Sequence, residues 1–214
     1  MPMINSELEA LACAGTPLIS DALGRLDAIR GLTRFDGWRG SLVGPAFTVK
    51  TREGDNLALL HALGVANPGD VLVVDGGGAL HRALAGDLAR RFAMTRGITG
   101  FVIEGAIRDV SAFQTEEPFG CFARGTSHNG PFKDGPGRIN VPVAIGGQVV
   151  NPGDIIVADN EGIVSFAPHR LSWLVKAAAD RTAAEATIRG QISSGEQSQP
   201  WLEALMAEAG SKLS

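Results

Sequence analysis

Gly86 and Asp87 are followed, after twenty intervening residues, by Arg108 and Asp109. Two carboxylates beside a cation that never loses its charge suit Mg²⁺ or Mn²⁺, which take oxygen ligands and keep several of their waters. If Gly86 opens a helix, the free N–H groups of Gly86, Asp87, Leu88 and Ala89 form an N-terminus suited to a carboxylate. The combination favours an anionic, chelating substrate.

These residues converge only if the elements between them make a crossover. Val71-Leu72-Val73-Val74 is a continuous apolar run after the turn Asn67-Pro68-Gly69-Asp70 and before Gly76-Gly77-Gly78, the pattern of a buried strand. Residues 86–96 have helical periodicity: Leu84, Leu88 and Phe92 are spaced four apart, and Arg90, Arg91 and Arg96 are expected to face solvent. Phe101-Val102-Ile103 then forms a second strand and completes a β-α-β unit, long enough for a parallel crossover. Asp87 would lie in the first turn of the crossover helix, with Arg108 and Asp109 just past the end of the second strand. That sheet edge is where open α/β sheets bind ligands.

The flanking chain is read in the same way. Ser6 and Glu9 have capping-box spacing for a helix over 7–13, and Thr16-Pro17 is expected to cap and open a helix reaching Leu23. A strand over 41–50 precedes Asp55, expected to cap a helix ending near Val65. Asn67-Pro68-Gly69-Asp70-Val71 recurs as Asn151-Pro152-Gly153-Asp154-Ile155, which predicts two similar turn-to-strand units. Residues 141–145, 149–150, 155–158 and 163–166 are β-rich, with Gly146-Gly147 as a hairpin turn. Pro168 starts a long helix to about 188, and a last helix over 200–209 follows a polar run. The expected organisation is one domain over 1–214, with its core at about 16–168.

Composition excludes several classes. A net charge of −4 without a long single-sign run offers no basic footprint for nucleic acid. The first eleven residues carry Glu7 and Glu9 and no basic-then-apolar pattern, so no signal peptide is expected. No apolar stretch reaches the roughly 18 residues of a membrane span. Cys13 and Cys121 have no metal-ligand spacing. The expectation is a soluble, cytoplasmic protein that partners neither membrane nor nucleic acid.

The pairing of Gly86-Asp87 with Arg108-Asp109 resembles the signature of the RraA-like and 4-hydroxy-4-methyl-2-oxoglutarate aldolase family. Gly54-Asp55-Asn56, the run from Pro68 to Gly78 and the run from Pro152 to Gly162 extend the resemblance over about 16–168. It implies an α/β fold of the β/β/α swivelling type and a homotrimer or hexamer with sites between subunits. It implies Asp109 as metal ligand, Asp87 holding metal-bound water, residues 86–89 binding the substrate carboxylate and Arg108 contacting the oxo group. It also implies a trans glutamate in the metal shell, for which Glu185 is the candidate. The implied activity is metal-dependent cleavage of a 4-hydroxy-2-oxo acid to pyruvate, with oxaloacetate decarboxylation. Both reactions leave a pyruvate enolate whose charge a metal and Arg108 stabilise, so no Schiff-base lysine is needed. Lys50, Lys133, Lys176 and Lys212 are all expected outside the constellation.

Other readings carry less weight. His61 and His81 are more often packed or solvated than basic catalysts, and His128 and His169 have still less to suggest a role. Asp75 and Asp159 end strands and are expected to form turns, and Glu104 is placed to pair with Arg108. Gly76-x-Gly78 lacks the third glycine of a dinucleotide fingerprint, so neither NAD nor a methyl-donor nucleotide is indicated. The rival function is a binding protein that regulates a ribonuclease, and a lyase or hydrolase for another oxo acid is a third possibility.

Overall fold

A computed structural model describes residues 6–209. The chain runs through α1 (Ser6–Ala14) and α2 (Thr16–Ala22), the short strands β1 (Ala28–Ile29) and β2 (Thr33–Arg34), the long β3 (Leu42–Thr51) and α3 (Leu57–Val65). The central segment is β4 (Val71–Asp75), β5 (Ala83–Ala85), α4 (Asp87–Thr95), β6 (Gly100–Ile107), α5 (Val110–Phe113) and β7 (Gly120–Thr126). Then come β8 (Gly137–Ile139), β9 (Val143–Ile145), β10 (Gln148–Val150), β11 (Ile155–Ala158) and β12 (Ile163–Phe166). A 3₁₀ turn over Pro168–Arg170, α6 (Leu171–Ser193) and α7 (Pro200–Ala209) complete the described chain.

The mixed α/β class and the central parallel crossover are as expected. The main sheet runs β1-β12-β11-β3-β4-β6-β7-β2, with β5 beside β6 and β8 beside β3. It is curled about β3, whose first half pairs antiparallel with β11 and whose second half pairs parallel with β4. Side-chain alternation along the strands separates three apolar clusters. Leu72 and Val74 of β4 face the cluster under α3 and α4, and Val71 and Val73 face one enclosed between the two halves of the sheet. Ile155 and Val157 of β11 face a third with Leu11, Ile19, Leu174 and Ala178 from α1, α2 and α6. The layers are therefore helix, sheet, sheet and helix.

Local chemistry explains several elements. The repeated Asn-Pro-Gly-Asp segments form one turn twice: Asp70 accepts from Asn67 N at 2.8 Å and Asp154 from Asn151 N at 2.7 Å. Gly69 and Gly153 have φ of 93° and 83°, which a β-carbon disfavours. Gly146 and Gly147, with φ of 52° and 85°, close the β9–β10 hairpin as two-residue turns of this hand require. Asp75 accepts from Gly77 N, and Asp159 from Glu161 N and Gly162 N, so both form the expected turns.

Four expectations are corrected. Gly15, not Thr16, caps α2, and the Thr16 hydroxyl instead donates to Asp159 at 2.6 Å, tying the N-terminal helices to the end of β11. The helix after Pro168 begins as a 3₁₀ turn and extends to Ser193. Glu104 pairs with Arg124, its neighbour across β6 and β7, rather than with Arg108. The largest departure concerns α4: Leu88 and Phe92 are 79% and 47% exposed, and Arg90 is buried. The Arg90 guanidinium lies over the rings of Phe113 and Phe119 at 6.0 and 5.8 Å, donates to Thr115 Oγ1 and pairs with Glu117. Stacking and pairing offset part of the cost of burying this cation, although its Nε has no hydrogen-bond partner among the described residues, and the apolar residues turn outward. Among the described residues, no helix is long and apolar enough to cross a membrane.

Candidate active site

The crossover delivers both halves of the motif to one edge. β5 continues alongside the end of β6 where β4 stops, with Ala83 opposite Ala106 and Ala85 opposite Ile107, and Arg108 N donates to Ala85 O at 2.9 Å. That three-residue strand, invisible to periodicity, sets Gly86-Asp87 against Arg108-Asp109. Gly86 lies in extended backbone before α4, at φ −158°. A β-carbon on it would stand 2.6 Å from Asp109 Oδ2 and 2.9 Å from Arg108 Cγ, so only glycine admits this approach.

Asp109 adopts the left-handed region at φ 56°, ψ 43°, a conformation that aspartate tolerates better than most residues but at a cost. It occupies the N-cap position of α5 without capping it. Its Oδ2 instead accepts from Asp87 N at 3.1 Å and lies 3.6 Å from Arg108 Nε. Asp87 thus joins Asp109 through its backbone, while its carboxylate is held sideways by Arg91 Nε at 2.8 and 2.9 Å. Arg108 and Asp109 are about half exposed, at 42% and 47%.

Arg108 and Asp109 open on a cavity of about 280 Å³ lined also by Gly86, Leu88, Ala89, Asn56, Leu60, Ala83, Leu84, Ala85, Gly130, Pro131 and Lys133; Asp87 is not part of the lining. Lys133 corrects the expectation that all four lysines lie elsewhere; Lys50 and Lys176 are outside the lining, and Lys212 falls outside the described residues. His61 and His81 are not in it either. Glu185 is remote within the chain: it pairs with Arg189 on α6, and α6 packs on α1 and α2.

The Lys133 loop is braced from two sides. Asp55, completely buried, accepts from Asp134 N and Gly135 N at 2.8 Å each, and from Leu57 N at 2.9 Å; it thus satisfies the first N–H of α3, although the N-cap position is held by Asn56 and not, as expected, by Asp55. Burial raises the Asp55 carboxyl, but these three donors and Arg52 outweigh it and hold its pKa below the ordinary value. On the other side Arg82 stacks on Phe132 at 3.9 Å and donates to Gly130 O at 2.7 Å. Sequence reasoning missed Lys133 because only tertiary packing brings its Gly/Pro-rich loop to the crossover edge. Asn56 had one signal, its place in the Gly54-Asp55-Asn56 motif.

The arrangement presents two arginine or lysine cations, a carboxylate and a helix N-terminus to one small cavity, which suits a compact polyanion. Among the described residues, no group of three or more histidine, cysteine, aspartate or glutamate side chains is placed to hold a metal.

Known proteins resemble this chain in sequence and in fold. A protein of Halalkalibacterium halodurans, provisionally named a 4-hydroxy-4-methyl-2-oxoglutarate aldolase, is 45% identical over 148 residues, 69% of this chain and 70% of that protein. RraAS2 of Streptomyces coelicolor, described as an unusual member of the RNase ES inhibitor RraA protein family, is similar in structure with a TM-score of 0.78 and 28% identity. That match covers 86% of this chain and 96% of the other. The RNA-processing inhibitor RraA from Thermus thermophilis matches with a TM-score of 0.65 and 30% identity over 72% and 92% of the two chains. The RraA-like family model, described as Aldolase/RraA, matches residues 16–165, a span that includes every residue lining the cavity. The chain belongs to the RraA-like family.

Proposed function

We propose that the chain is a divalent-metal-dependent lyase that cleaves 4-hydroxy-4-methyl-2-oxoglutarate, or a related 4-hydroxy-2-oxo acid, to pyruvate and also decarboxylates oxaloacetate. The observation that carries this reading is the convergence of Arg108, Asp109 and the first turn of α4 on one cavity. A pure binding surface has no physical need for that set. The aldolase name of the Halalkalibacterium relative supports the same class.

The donor set fits Mg²⁺ or Mn²⁺ held largely by water and substrate, as these ions are when a protein supplies few ligands. Asp109 Oδ1 has no hydrogen-bond partner among the described residues and would be the direct ligand. Asp87 would act through water once released from Arg91, and that exposed i,i+4 pair is worth only about 0.3–0.5 kcal/mol. Glu185 of a second copy would complete the shell. When bound, the cation supplies a Lewis acid for the substrate's carboxylate and 2-oxo oxygens.

The chain's own residues do the rest. The N–H groups of Gly86, Leu88 and Ala89 orient the substrate carboxylate; that of Asp87, expected to join them, is taken by Asp109 Oδ2. Arg108 donates to the 2-oxo oxygen as negative charge develops there, whether the bond to C4 breaks by retro-aldol cleavage or by loss of CO₂. Lys133 adds a second positive charge at the same wall. Exposed Leu57, Leu60, Leu88 and Phe92 on the adjoining α3 and α4 are an apolar rim that a second subunit would cover, in keeping with a trimer or hexamer whose sites lie between subunits.

A second reading, regulation of a ribonuclease by protein binding, has support in the names of the Streptomyces and Thermus structures. The two separate in one assay: pyruvate release from 4-hydroxy-4-methyl-2-oxoglutarate and from oxaloacetate, with Mg²⁺ or Mn²⁺ and again with excess EDTA. Release that EDTA abolishes is the expected result. No release from either compound by the folded, metal-loaded protein overturns the lyase reading.

A further inference from the structure

Asn56 occupies the N-cap position of α3, where asparagine ordinarily caps with its side chain. Here it makes no such bond, because Asp55 Oδ1 already accepts from Leu57 N. The Asn56 amide turns inward instead, and its Nδ2 donates to Leu84 O at 3.0 Å. Since Leu84 O can only accept, the amide orientation is determined, and Oδ1 is the atom that faces away. The residue is 6% exposed and lines the cavity, as Leu84 does.

Asn56 Oδ1 has no hydrogen-bond partner. Four buried side-chain atoms among the described residues share that condition, on Thr48, Asn56, Arg90 and Ser165, and only Asn56 belongs to the cavity lining. A buried acceptor without a donor is destabilising, and at a binding site the missing donor is commonly the ligand. The clamp to Leu84 accounts for Nδ2; nothing within the chain accounts for Oδ1. Every other polar side chain named at this cavity, Arg108, Lys133 and Asp109, carries a charge suited to an anion or a cation. Asn56 is the neutral acceptor, and it calls for a neutral O–H.

We propose that Asn56 is a positioning and specificity residue that accepts a hydrogen bond from the substrate's hydroxyl group, so that the cavity selects hydroxylated oxo acids over their deoxy counterparts. The inference rests on the oxo-acid reading of the site and deepens it. Asn56 touches neither the bond that breaks nor a bound ion; it orients the hydroxyl from which a proton must leave during cleavage.

The test compares two ligands that differ only by that hydroxyl: 4-hydroxy-2-oxoglutarate, followed by its kcat/KM for pyruvate release, and 2-oxoglutarate, followed by its inhibition constant. In Asn56→Ala the preference for the hydroxylated ligand falls by about tenfold or more, the worth of one such hydrogen bond to a buried acceptor. Asn56→Asp keeps an acceptor oxygen but cannot donate to Leu84, so it retains the preference even if both ligands bind more weakly. A purely structural role moves both ligands by the same factor in Asn56→Ala, and that result overturns the proposal. If the native protein releases no pyruvate, the lyase reading has failed by itself; the affinities of the two compounds, measured by calorimetry on native protein and Asn56→Ala, then decide the hydroxyl preference. An unchanged ratio, or no binding of either compound, overturns it.

Discussion

Replacing Gly86 with alanine separates the geometry of the site from the stability of the fold. Its extended backbone, at φ −158°, is open to alanine, so the substitution carries no conformational strain. The steric demand is specific: the new β-carbon would lie 2.6 Å from Asp109 Oδ2, about 0.8 Å inside ordinary contact, and 2.9 Å from Arg108 Cγ. Both side chains are about half exposed and free to swing away. The bond from Asp87 N to Asp109 Oδ2 is lost in doing so. A displacement approaching 1 Å in a catalytic constellation lowers kcat/KM about 10²-fold, which corresponds to about 2.7 kcal/mol of transition-state stabilisation. Stability changes by about 1 kcal/mol or less, because the smaller entropy of the unfolded alanine chain offsets part of the adjustment. That is a shift of about 2–4 °C in Tm for a chain of this size. The assay is pyruvate release coupled to NADH oxidation, alongside thermal denaturation. Gly64→Ala is the control, since a β-carbon there meets nothing within 4 Å, and its activity stays native. Gly86→Ala with activity within threefold of native would refute the claim that this close approach positions the catalytic groups.

Arg108→Ala and Asp109→Ala each abolish pyruvate release while leaving Tm nearly native, because both side chains are half exposed; measurable turnover in either removes the mechanism. Lys133→Met raises KM for oxo acids bearing a second carboxylate by about tenfold, with a smaller change in kcat, as expected for loss of one charge-assisted contact; an unchanged KM places Lys133 outside substrate recognition. Asp55→Asn destabilises the protein by about 3 kcal/mol at neutral pH, since the new amide nitrogen or its weaker oxygen faces N–H donors from Leu57, Asp134 and Gly135. The native carboxyl has a lowered pKa, so its contribution is complete above the ordinary carboxylate range and is lost as pH falls through the lowered value. The gap in Tm between native protein and Asp55→Asn therefore narrows in acid, and a gap that does not change with pH contradicts this account of Asp55.

What the sequence determined by itself was local. The Asn-Pro-Gly-Asp turns, the Gly146-Gly147 hairpin and the strand–helix–strand order from Val71 to Ile107 follow from backbone preferences and short-range hydrogen bonds that any similar segment would share. They were enough to bring Gly86, Asp87, Arg108 and Asp109 to one sheet edge, because a parallel crossover leaves both strands ending on the same side. Tertiary structure decided what periodicity cannot encode. The helix α4 could turn either face inward, and the rings of Phe113 and Phe119, supplied by later segments, made Arg90 the buried one. The strand β5 is too short to announce itself and exists because β6 outruns β4. Asn56 and Lys133, far apart along the chain, reach the same cavity because buried Asp55 and stacked Arg82 hold their segments together. Local propensity acts over a few residues, whereas the cavity wall is assembled from hydrogen bonds and ring contacts between residues many tens of positions apart, and those interactions exist only once the sheet has formed.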